Sequence, residues 1–320
     1  MAHIDSKNAA IAKAAYLYYE RGKTQREIAH EMGITRVAVS RILAEARTKG
    51  IVKIKVEYPW TSKRLERRLV ETFGLDDAKV LYTSTSSSDE IIEEIGIIAA
   101  KYFMQIAEDG QIIGISWGRA LHRMIDALQH VNMPAATIVQ LIGASGTEAV
   151  LTDGPKLAQH FSEKLGCTAK YMHSPLIVEN ETIKNSLIRD RMLNSTIELA
   201  QKADLAFVGI GATEKEIYSL LKTGYVDEQE FTELKKAGVV GDICAQHFDI
   251  NGKILDIPLN KRTIGINLDQ LSGIGTVIGV AGDPLKSRAI HGALKGGYLD
   301  VLITDFHVAK DVLALSGEKI

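Results

Sequence analysis

Residues 4–46 place apolar side chains at the spacing of an α-helix, interrupted by glycine and helix-capping residues. The pattern predicts three helices, over residues 4–21, 25–31 and 36–46. Thr24 is placed to cap the second helix, and Glu27 three residues later completes a capping box. Gly33 supplies the positive φ angle that a tight turn between the second and third helices needs.

The spacing within residues 24–46 is that of a helix-turn-helix. Ala29 is the small residue needed where two helices cross steeply, and Gly33 follows it four residues later in the turn. Aliphatic residues flank the turn and line the third helix: Ile28, Ile34, Val39 and Ile42. This segment predicts a DNA-binding motif, with a short helical hairpin that has no DNA role as the alternative.

The outward side chains of the third helix are suited to DNA. Arg36 and Arg41 match the bidentate edge of guanine, and Val37 matches the methyl group of thymine. The hydroxyl groups of Thr35 and Ser40 have the size for contacts with phosphate oxygens. The predicted DNA-binding residues are Thr24, Gln25, Thr35, Arg36, Val37, Ser40 and Arg41.

Two further elements follow the third helix, the first within the predicted DNA-binding domain at residues 1–57 and the second after it. Residues 51–56 alternate apolar and basic side chains, a pattern that predicts a strand with one exposed face. Residues 62–73 predict a charged helix with Leu65, Leu69 and Phe73 on one stripe. We interpret residues 58–76 as a linker and oligomerisation helix, with packing of the stripe on the following domain left open.

From residue 77 to residue 320, apolar strand-like runs alternate with helical patterns. This alternation predicts an α/β fold with a parallel, Rossmann-like sheet, in which ligands bind at the carboxyl ends of the strands. The predicted strands are residues 111–116, 137–142, 169–178, 205–210, 276–280 and 301–304. The predicted helices lie near residues 90–108, 119–131, 154–165, 194–203, 227–237, 286–295 and 307–315.

Four of the predicted strand ends are rich in glycine and small polar residues, which indicates a small-molecule pocket. They cover residues 114–119, 143–146, 209–212 and 279–282, and Lys286 follows the last of them. Backbone N–H groups that open a helix after such a turn favour phosphate or another anion. None of the four is a Walker A loop or a complete dinucleotide-binding fingerprint.

The charge is divided unevenly along the chain. Residues 1–74 carry 15 Lys+Arg against 8 Asp+Glu, whereas the whole chain of 320 residues has a net charge of −2. A basic front part on an acidic body indicates that only the front part meets a polyanion. Two cysteines, no secretory signal and no membrane-length apolar run fit a cytoplasmic protein that has no membrane partner.

Several motifs together resemble the SorC family of sugar-responsive transcriptional regulators. They are Val-Ser-Arg at 39–41, Ser-Trp-Gly-Arg at 116–119, Val-Gly-Asp-Ile-Cys at 240–244, Phe-Asp-Ile-Asn-Gly at 248–252, His-Gly-Ala-Leu at 291–294 and Leu-Ile-Thr-Asp at 302–305. The resemblance covers nearly the whole chain. It implies an effector domain related in fold to sugar-phosphate isomerases and deaminases, a tetramer built from dimers, and a sugar, polyol or sugar-phosphate inducer.

The resemblance also implies which residues bind the effector. They are Ser116, Trp117, Gly118, Arg119, Gly143, Ser145, Asp242 and Lys286. No cofactor and no metal are implied, and we expect a repressor of a carbohydrate operon that the effector releases from its operator. One departure matters, because Asp283 follows Gly282 where family members often have a second glycine, and its charge would oppose a phosphate.

An enzyme on the related isomerase-like fold is the alternative function. Asp242, His247 and Glu148 are the candidate general bases for it. The nine histidines show no metal-ligand spacing, and no nucleophile elbow is present. We therefore expect a regulator and not an enzyme.

Overall fold

The computed structural model describes residues 2–52, 61–83, 85, 87–146 and 152–318. The chain forms two compact units, Met1–Pro59 and Trp60–Ile320. The strand expected over residues 51–56 falls mostly outside the described residues.

The first unit contains the three predicted helices, α1 (Ala2–Tyr19), α2 (Gln25–Met32) and α3 (Arg36–Thr48). Its core is small and aliphatic, with Ile11, Ile28, Val39 and Leu43 buried where the three helices meet. The turn between α2 and α3 contains Gly33 in the left-handed conformation, with φ of +65°. Local capping and this glycine explain why the helix limits follow the sequence pattern so closely.

The second unit consists mainly of a parallel sheet between two layers of helices. Its helices are α4 (Lys63–Phe73), α5 (Ser88–Ile106), α6 (Arg119–Ala127), α7 (Gly154–Leu165), α8 (Glu181–Leu187), α9 (Arg191–Gln201), α10 (Ser219–Lys222), α11 (Glu228–Lys236), α12 (Pro258–Arg262), α13 (Leu268–Leu271), α14 (Ser287–Lys295) and α15 (Phe306–Leu315). Its strands are β1 (Asp77–Leu81), β2 (Ile112–Ile115), β3 (Thr137–Gln140), β4 (Thr168–Lys170), β5 (Leu205–Val208), β6 (Gly211–Ala212), β7 (Gly241–Ile243), β8 (Gln246–Phe248), β9 (Thr276–Val280) and β10 (Val301–Asp305).

Seven of these strands form the parallel sheet in the order β1-β10-β9-β5-β2-β3-β4. Side chains of α5, α6 and α7 share one hydrophobic core with one face of the sheet, and those of α4, α14 and α15 share a core with the other face. The predicted α/β class is confirmed. From β2 the chain proceeds outward to β3 and β4, and from β5 it proceeds the opposite way to β9 and β10. The neighbouring strands β2 and β5 therefore form a topological switch point, where open α/β sheets bind ligands.

Helix α4 packs within the second unit. Leu65 and Leu69 of the predicted stripe are buried in its core, and Glu66 accepts a hydrogen bond from the backbone N–H of Val80 at 3.2 Å. Of the two arrangements left open by the sequence, packing of this stripe against the α/β unit is the one present in the structure.

The sequence prediction was wrong for one strand and missed several elements. The strand expected over residues 169–178 is limited to β4, because the chain then leaves the sheet and makes only isolated bridges, Ala144 to Pro175 and Ile177 to Thr263. Strand β1 and the small antiparallel sheet β6-β7-β8 were not predicted. The antiparallel sheet matters for function because it carries Asp242 beside the switch point.

Candidate functional site

Helix α3 exposes one polar face and buries the other. Val39, Leu43 and Ala46 are buried, whereas Arg36, Val37, Ser40 and Arg41 are all exposed. Val37 leaves 73% of its surface exposed, the highest fraction among the large apolar side chains of the described residues. An exposed valine between two arginines is suited to the major groove, where methyl groups and guanine edges are accessible.

Thr24 and Thr35 cap the two helices of the motif. The Thr24 side chain accepts from Glu27 N at 3.3 Å, and Glu27 Oε2 accepts from Thr24 N at 2.8 Å. The Thr35 hydroxyl accepts from Ala38 N at 3.2 Å. Both threonines therefore have a structural role, and Gln25 begins α2 beside the first of them. The hydrogen bonds from Thr24 N and its hydroxyl hold the pKa of Glu27 below its ordinary value.

The loops after β2 and β5 meet at the switch point. The Ser116 hydroxyl, which is fully buried, accepts a hydrogen bond from Gly209 N at 3.1 Å. A side chain at position 209 would lie 2.9 Å from the backbone oxygen of Trp117, so the close approach of the two loops depends on glycine. These contacts place Ser116 and Trp117, two predicted effector residues, against the end of β5, although Ser116 and Gly209 are 93 positions apart in sequence.

The rest of the loop after β2 leads into α6. Gly118 has φ of +127°, and its N–H donates to Thr152 O at 3.2 Å. Arg119 is the first residue of α6, and its side chain is 55% exposed and paired with Asp89 at 2.9 Å. The Arg119 guanidinium therefore forms an ion pair with the Asp89 carboxylate.

Asp242 lies on β7 directly opposite Gly211 of β6. A side chain at position 211 would come within 2.1 Å of Asp242 Oδ1, so the missing Cβ makes the room that this carboxylate occupies. Burial raises the pKa of Asp242, and the nearby His247 and Lys286 oppose that rise. Asp242 is therefore a buried carboxyl group held beside the switch point, able to accept hydroxyl donors.

Lys286 reaches the same place from the segment that follows β9, the strand beside β5. Its ammonium donates to Ile210 O at 2.7 Å, immediately before β6. Burial lowers the pKa of Lys286 to about 8. The carboxylates of Asp242 and Asp283 oppose this decrease, whereas the positive charge of Arg119 adds to it. The sequence-predicted residues Ser116, Asp242 and Lys286 are thus brought together around residues 209–211, through contacts within one unit.

The predicted residues of the loop after β3 are engaged in packing. Gly143 donates its N–H to Ile264 O at 3.0 Å, and a side chain there would lie 2.3 Å from Pro175 O. Ser145 N donates to Asp153 Oδ1 at 2.8 Å, and Ser145 O accepts from the Tyr225 hydroxyl at 2.8 Å. The glycine and these backbone groups have a packing explanation that does not involve a ligand.

Sequence reasoning missed Ser88, Asp305 and the partners of His247. Ser88 donates to Asp283 Oδ2 at 2.7 Å across 195 residues, a separation that carries no local signal. Asp305 caps α15, and its Oδ2 accepts from Asp283 N at 3.0 Å. An aspartate at a strand end followed by a helix is a recognisable capping signal, so Asp305 was accessible to sequence reasoning.

His247 is not available as a general base. It is fully buried, with Nε2 at 2.7 Å from the Tyr218 hydroxyl and Nδ1 at 3.1 Å from Asn260 Oδ1. Burial lowers its pKa, so the neutral form is favoured in spite of Asp242 nearby. Glu148, another candidate base, lies outside the described residues. Within the described part of the chain no group of His, Cys, Asp and Glu side chains is arranged to hold a metal ion, and no helix is long and apolar enough to span a membrane.

Comparison with known proteins gives consistent results along the chain. A family profile described as "Putative sugar-binding domain" matches residues 59–314, and one described as "Sigma-70, region 4" matches residues 15–49. The deoxyribonucleoside regulator of Bacillus subtilis is 34% identical over 93% of this chain and 95% of its own length. The sorbitol operon regulator of Klebsiella pneumoniae is 31% identical over 95% and 97%.

A solved structure of the full-length sorbitol operon regulator SorC from Klebsiella pneumoniae is also similar to this chain. It superimposes with a TM-score of 0.78 and 30% identity, covering 95% of this chain and 97% of that one. These similar proteins are regulators and not enzymes, which favours regulation over the catalytic alternative.

Proposed function

The chain belongs to the SorC family of sugar-binding transcriptional regulators, and from that membership we propose that it represses a carbohydrate-catabolism operon. It is a DNA-binding regulator under the control of a sugar-type effector. In the proposed cycle, a sugar, polyol or sugar phosphate binds the α/β unit and releases the helix-turn-helix from its operator.

One observation carries the proposal for the effector site. At the carboxyl ends of β2 and β5, the Ser116 hydroxyl contacts Gly209, while Asp242 and Lys286 approach the adjoining residues 210 and 211. A hydroxyl, a carboxyl group and an amine at a topological switch point are the groups that bind a polyhydroxylated molecule. We assign residues 77–320 to this effector domain.

The proposed roles within the site follow from the chemistry of each group. Asp242 accepts hydrogen bonds from sugar hydroxyls, and Lys286 donates to a ligand oxygen. The loop after β2 borders the ligand with Ser116, Trp117, Gly118 and Arg119. Gly143 and Ser145 shape the wall next to it, in keeping with their packing contacts.

The proposed roles in DNA binding separate positioning from base recognition. Thr24, Gln25 and Thr35 lie at helix starts, where hydroxyl, amide and N–H groups meet phosphates. Arg36, Val37, Ser40 and Arg41 form the exposed face of α3 that enters the major groove. We assign residues 1–57 to the DNA-binding domain and residues 58–76 to a linker and oligomerisation helix, whose α4 stripe packs on the α/β unit.

We also propose a tetramer built from dimers that acts in the cytoplasm. Helix-turn-helix proteins read paired half-sites through paired subunits, so a dimer is the smallest unit that fits a symmetric operator. The first unit has an excess of basic residues, with 11 Lys+Arg against 6 Asp+Glu in residues 1–59, which favours contact with DNA through this unit.

Selection of binding sites from random duplex DNA tests this function. The full-length protein is expected to enrich a near-palindromic site whose affinity falls steeply with salt. Pentoses, hexoses, polyols and their phosphates are then added singly to the complex, and at least one is expected to release the DNA. Absence of any sequence preference, or of release by every compound, would contradict the proposal.

A further inference from the structure

Asp283 occupies an unusual position at the effector edge. It follows β9, the neighbour of β5, and lies three residues before Lys286. Its φ is +100°, a region that L-amino acids other than glycine rarely adopt. Asp283 is one of three non-glycine residues with positive φ in the described part of the chain, the others being Cys244 and Ala245.

The side chain of Asp283 is fully engaged by donors. Oδ1 accepts from Leu285 N at 3.0 Å, and Oδ2 accepts from the Ser88 hydroxyl at 2.7 Å. The side chain is buried, and the Lys286 ammonium lies near enough for the two charges to interact. A phosphate group would require the same surroundings, two hydrogen-bond donors and a cation. The Asp283 carboxylate already occupies this position.

The surrounding charges are unfavourable to a second anion. Asp305 accepts a hydrogen bond from the Asp283 N–H at 3.0 Å, and Asp242 interacts with Lys286 as Asp283 does. Lys286 interacts with both Asp242 and Asp283 and donates to Ile210 O, and Arg119, which also acts on Lys286, is paired with Asp89. A dianionic phosphate would therefore meet three carboxyl groups, those of Asp242, Asp283 and Asp305, and one buried ammonium, that of Lys286. Burial strengthens the repulsion between the phosphate and these carboxylates.

We propose that Asp283 is a specificity-determining residue that excludes phosphorylated compounds, so that the effector is an unphosphorylated sugar or polyol. This inference rests on the proposed function, because it names the chemical class that the same site accepts. A neutral ligand presents hydroxyl groups to the Asp242 carboxyl and the Lys286 ammonium, and it gains hydrogen bonds where a phosphate would be repelled by Asp283.

Inorganic phosphate is the first probe. Full-length wild type, Asp283→Gly, Asp283→Asn and the control Asp256→Asn are titrated with phosphate at constant ionic strength and followed by calorimetry. Glycine suits the backbone at φ of +100° and opens the space, whereas asparagine removes the charge and nearly preserves the shape. Asp256 is an exposed carboxylate in the loop after β8, so its variant matches the change in charge.

Saturable phosphate binding is expected in Asp283→Gly, at least tenfold tighter than in wild type and in Asp256→Asn. The asparagine variant is expected to lie between them. Wild-type binding as tight as that of Asp283→Gly would overturn the inference. So would equal, weak binding by all four proteins, because Asp283 would then not be what excludes the anion.

Matched pairs of compounds complete the test on the wild type. Each pentose, hexose or polyol and its phosphate ester is compared by thermal shift and by release of operator DNA. Binding and release by a neutral compound, with its ester at least tenfold weaker, supports the inference. Stronger binding and release by an ester overturns the inference and leaves the proposed function intact. Failure of every neutral compound and every ester to bind and release DNA overturns both.

Discussion

The Ser116 hydroxyl accepts a hydrogen bond from the backbone N–H of Gly209 at 3.1 Å. The two residues end neighbouring strands, β2 and β5, from which the chain runs in opposite directions across the sheet. The bond therefore joins the two halves of the α/β unit at the edge where a ligand is expected.

Replacing Ser116 with alanine is expected to lower the free energy of unfolding by about 1 kcal/mol, because Gly209 N then loses its acceptor in a part-buried place. Urea unfolding of the full-length protein measures the change. Ser186→Ala is a suitable control, because it removes an exposed hydroxyl that bonds only within its own helix. Equal, negligible effects of both variants would mean that the bond does not stabilise the native state.

Gly211→Ala is expected to abolish the response to effector while leaving operator binding without effector unchanged. The added Cβ would lie 2.1 Å from Asp242 Oδ1, so the carboxyl group must move. Gly273→Ala is the matched control, since its nearest neighbour would be 3.4 Å away. Operator binding with and without effector measures both properties. A normal response by Gly211→Ala would show that the position of Asp242 is unimportant.

Arg36→Ala and Arg41→Ala are each expected to weaken operator binding by about 1–3 kcal/mol, the usual contribution of an arginine that reads a base. Fluorescence anisotropy at several salt concentrations measures the loss. Lys13→Ala removes an exposed positive charge from α1 of the same unit and is expected to have a much smaller effect. Unchanged affinity in both arginine variants would exclude α3 as the recognition helix.

Lys286 is expected to make the protein more stable as the pH rises from 8 to about 10.5. Burial lowers its pKa to about 8 from an ordinary value of 10.5, so in this window the unfolded chain binds a proton that the folded chain does not. As the pH rises, the proton bound to Lys286 in the unfolded chain stabilises the unfolded state less, and the free energy of unfolding therefore increases. Lys286→Met is expected to flatten this part of the stability curve, as measured by denaturant unfolding. A curve that is equally steep in both proteins would contradict the assignment.

The sequence predicts the first unit in detail because its signals are local. Thr24, Glu27, Gly33 and Thr35 specify the ends of α2 and α3 through contacts within three or four residues. The α/β class is equally accessible, since β5, β9 and β10 are buried apolar runs separated by helical patterns.

The small sheet β6-β7-β8 could not be predicted in the same way. Its strands have only two or three residues, and the turn between β7 and β8 uses Cys244 and Ala245 at φ of +53° and +56°. A tight hairpin turn of this kind usually contains asparagine and glycine, so the expected signal is missing. The order of strands in the parallel sheet could not be predicted from local sequence signals either. The contact between Ser116 and Gly209 depends on that order, because it requires β2 and β5 to be neighbours.

The structure brings three of the predicted effector residues, Ser116, Asp242 and Lys286, to residues 209–211, and their contact with an effector stays a prediction. Gly143 is explained by its close contact with Pro175. Ser88 was missed because only the folded chain brings it to Asp283. Pairings over such separations depend on packing of the whole domain.

The most direct test of the account compares wild type with Asp242→Asn in release of operator DNA by an effector. The central claim is that a ligand held at the β2–β5 edge controls the helix-turn-helix. Asp242→Asn is expected to bind the operator as tightly as wild type without effector, because the residue lies outside the DNA-binding unit. At least a tenfold higher effector concentration is then expected to be needed for release. Release of both proteins at the same effector concentration would contradict the central claim.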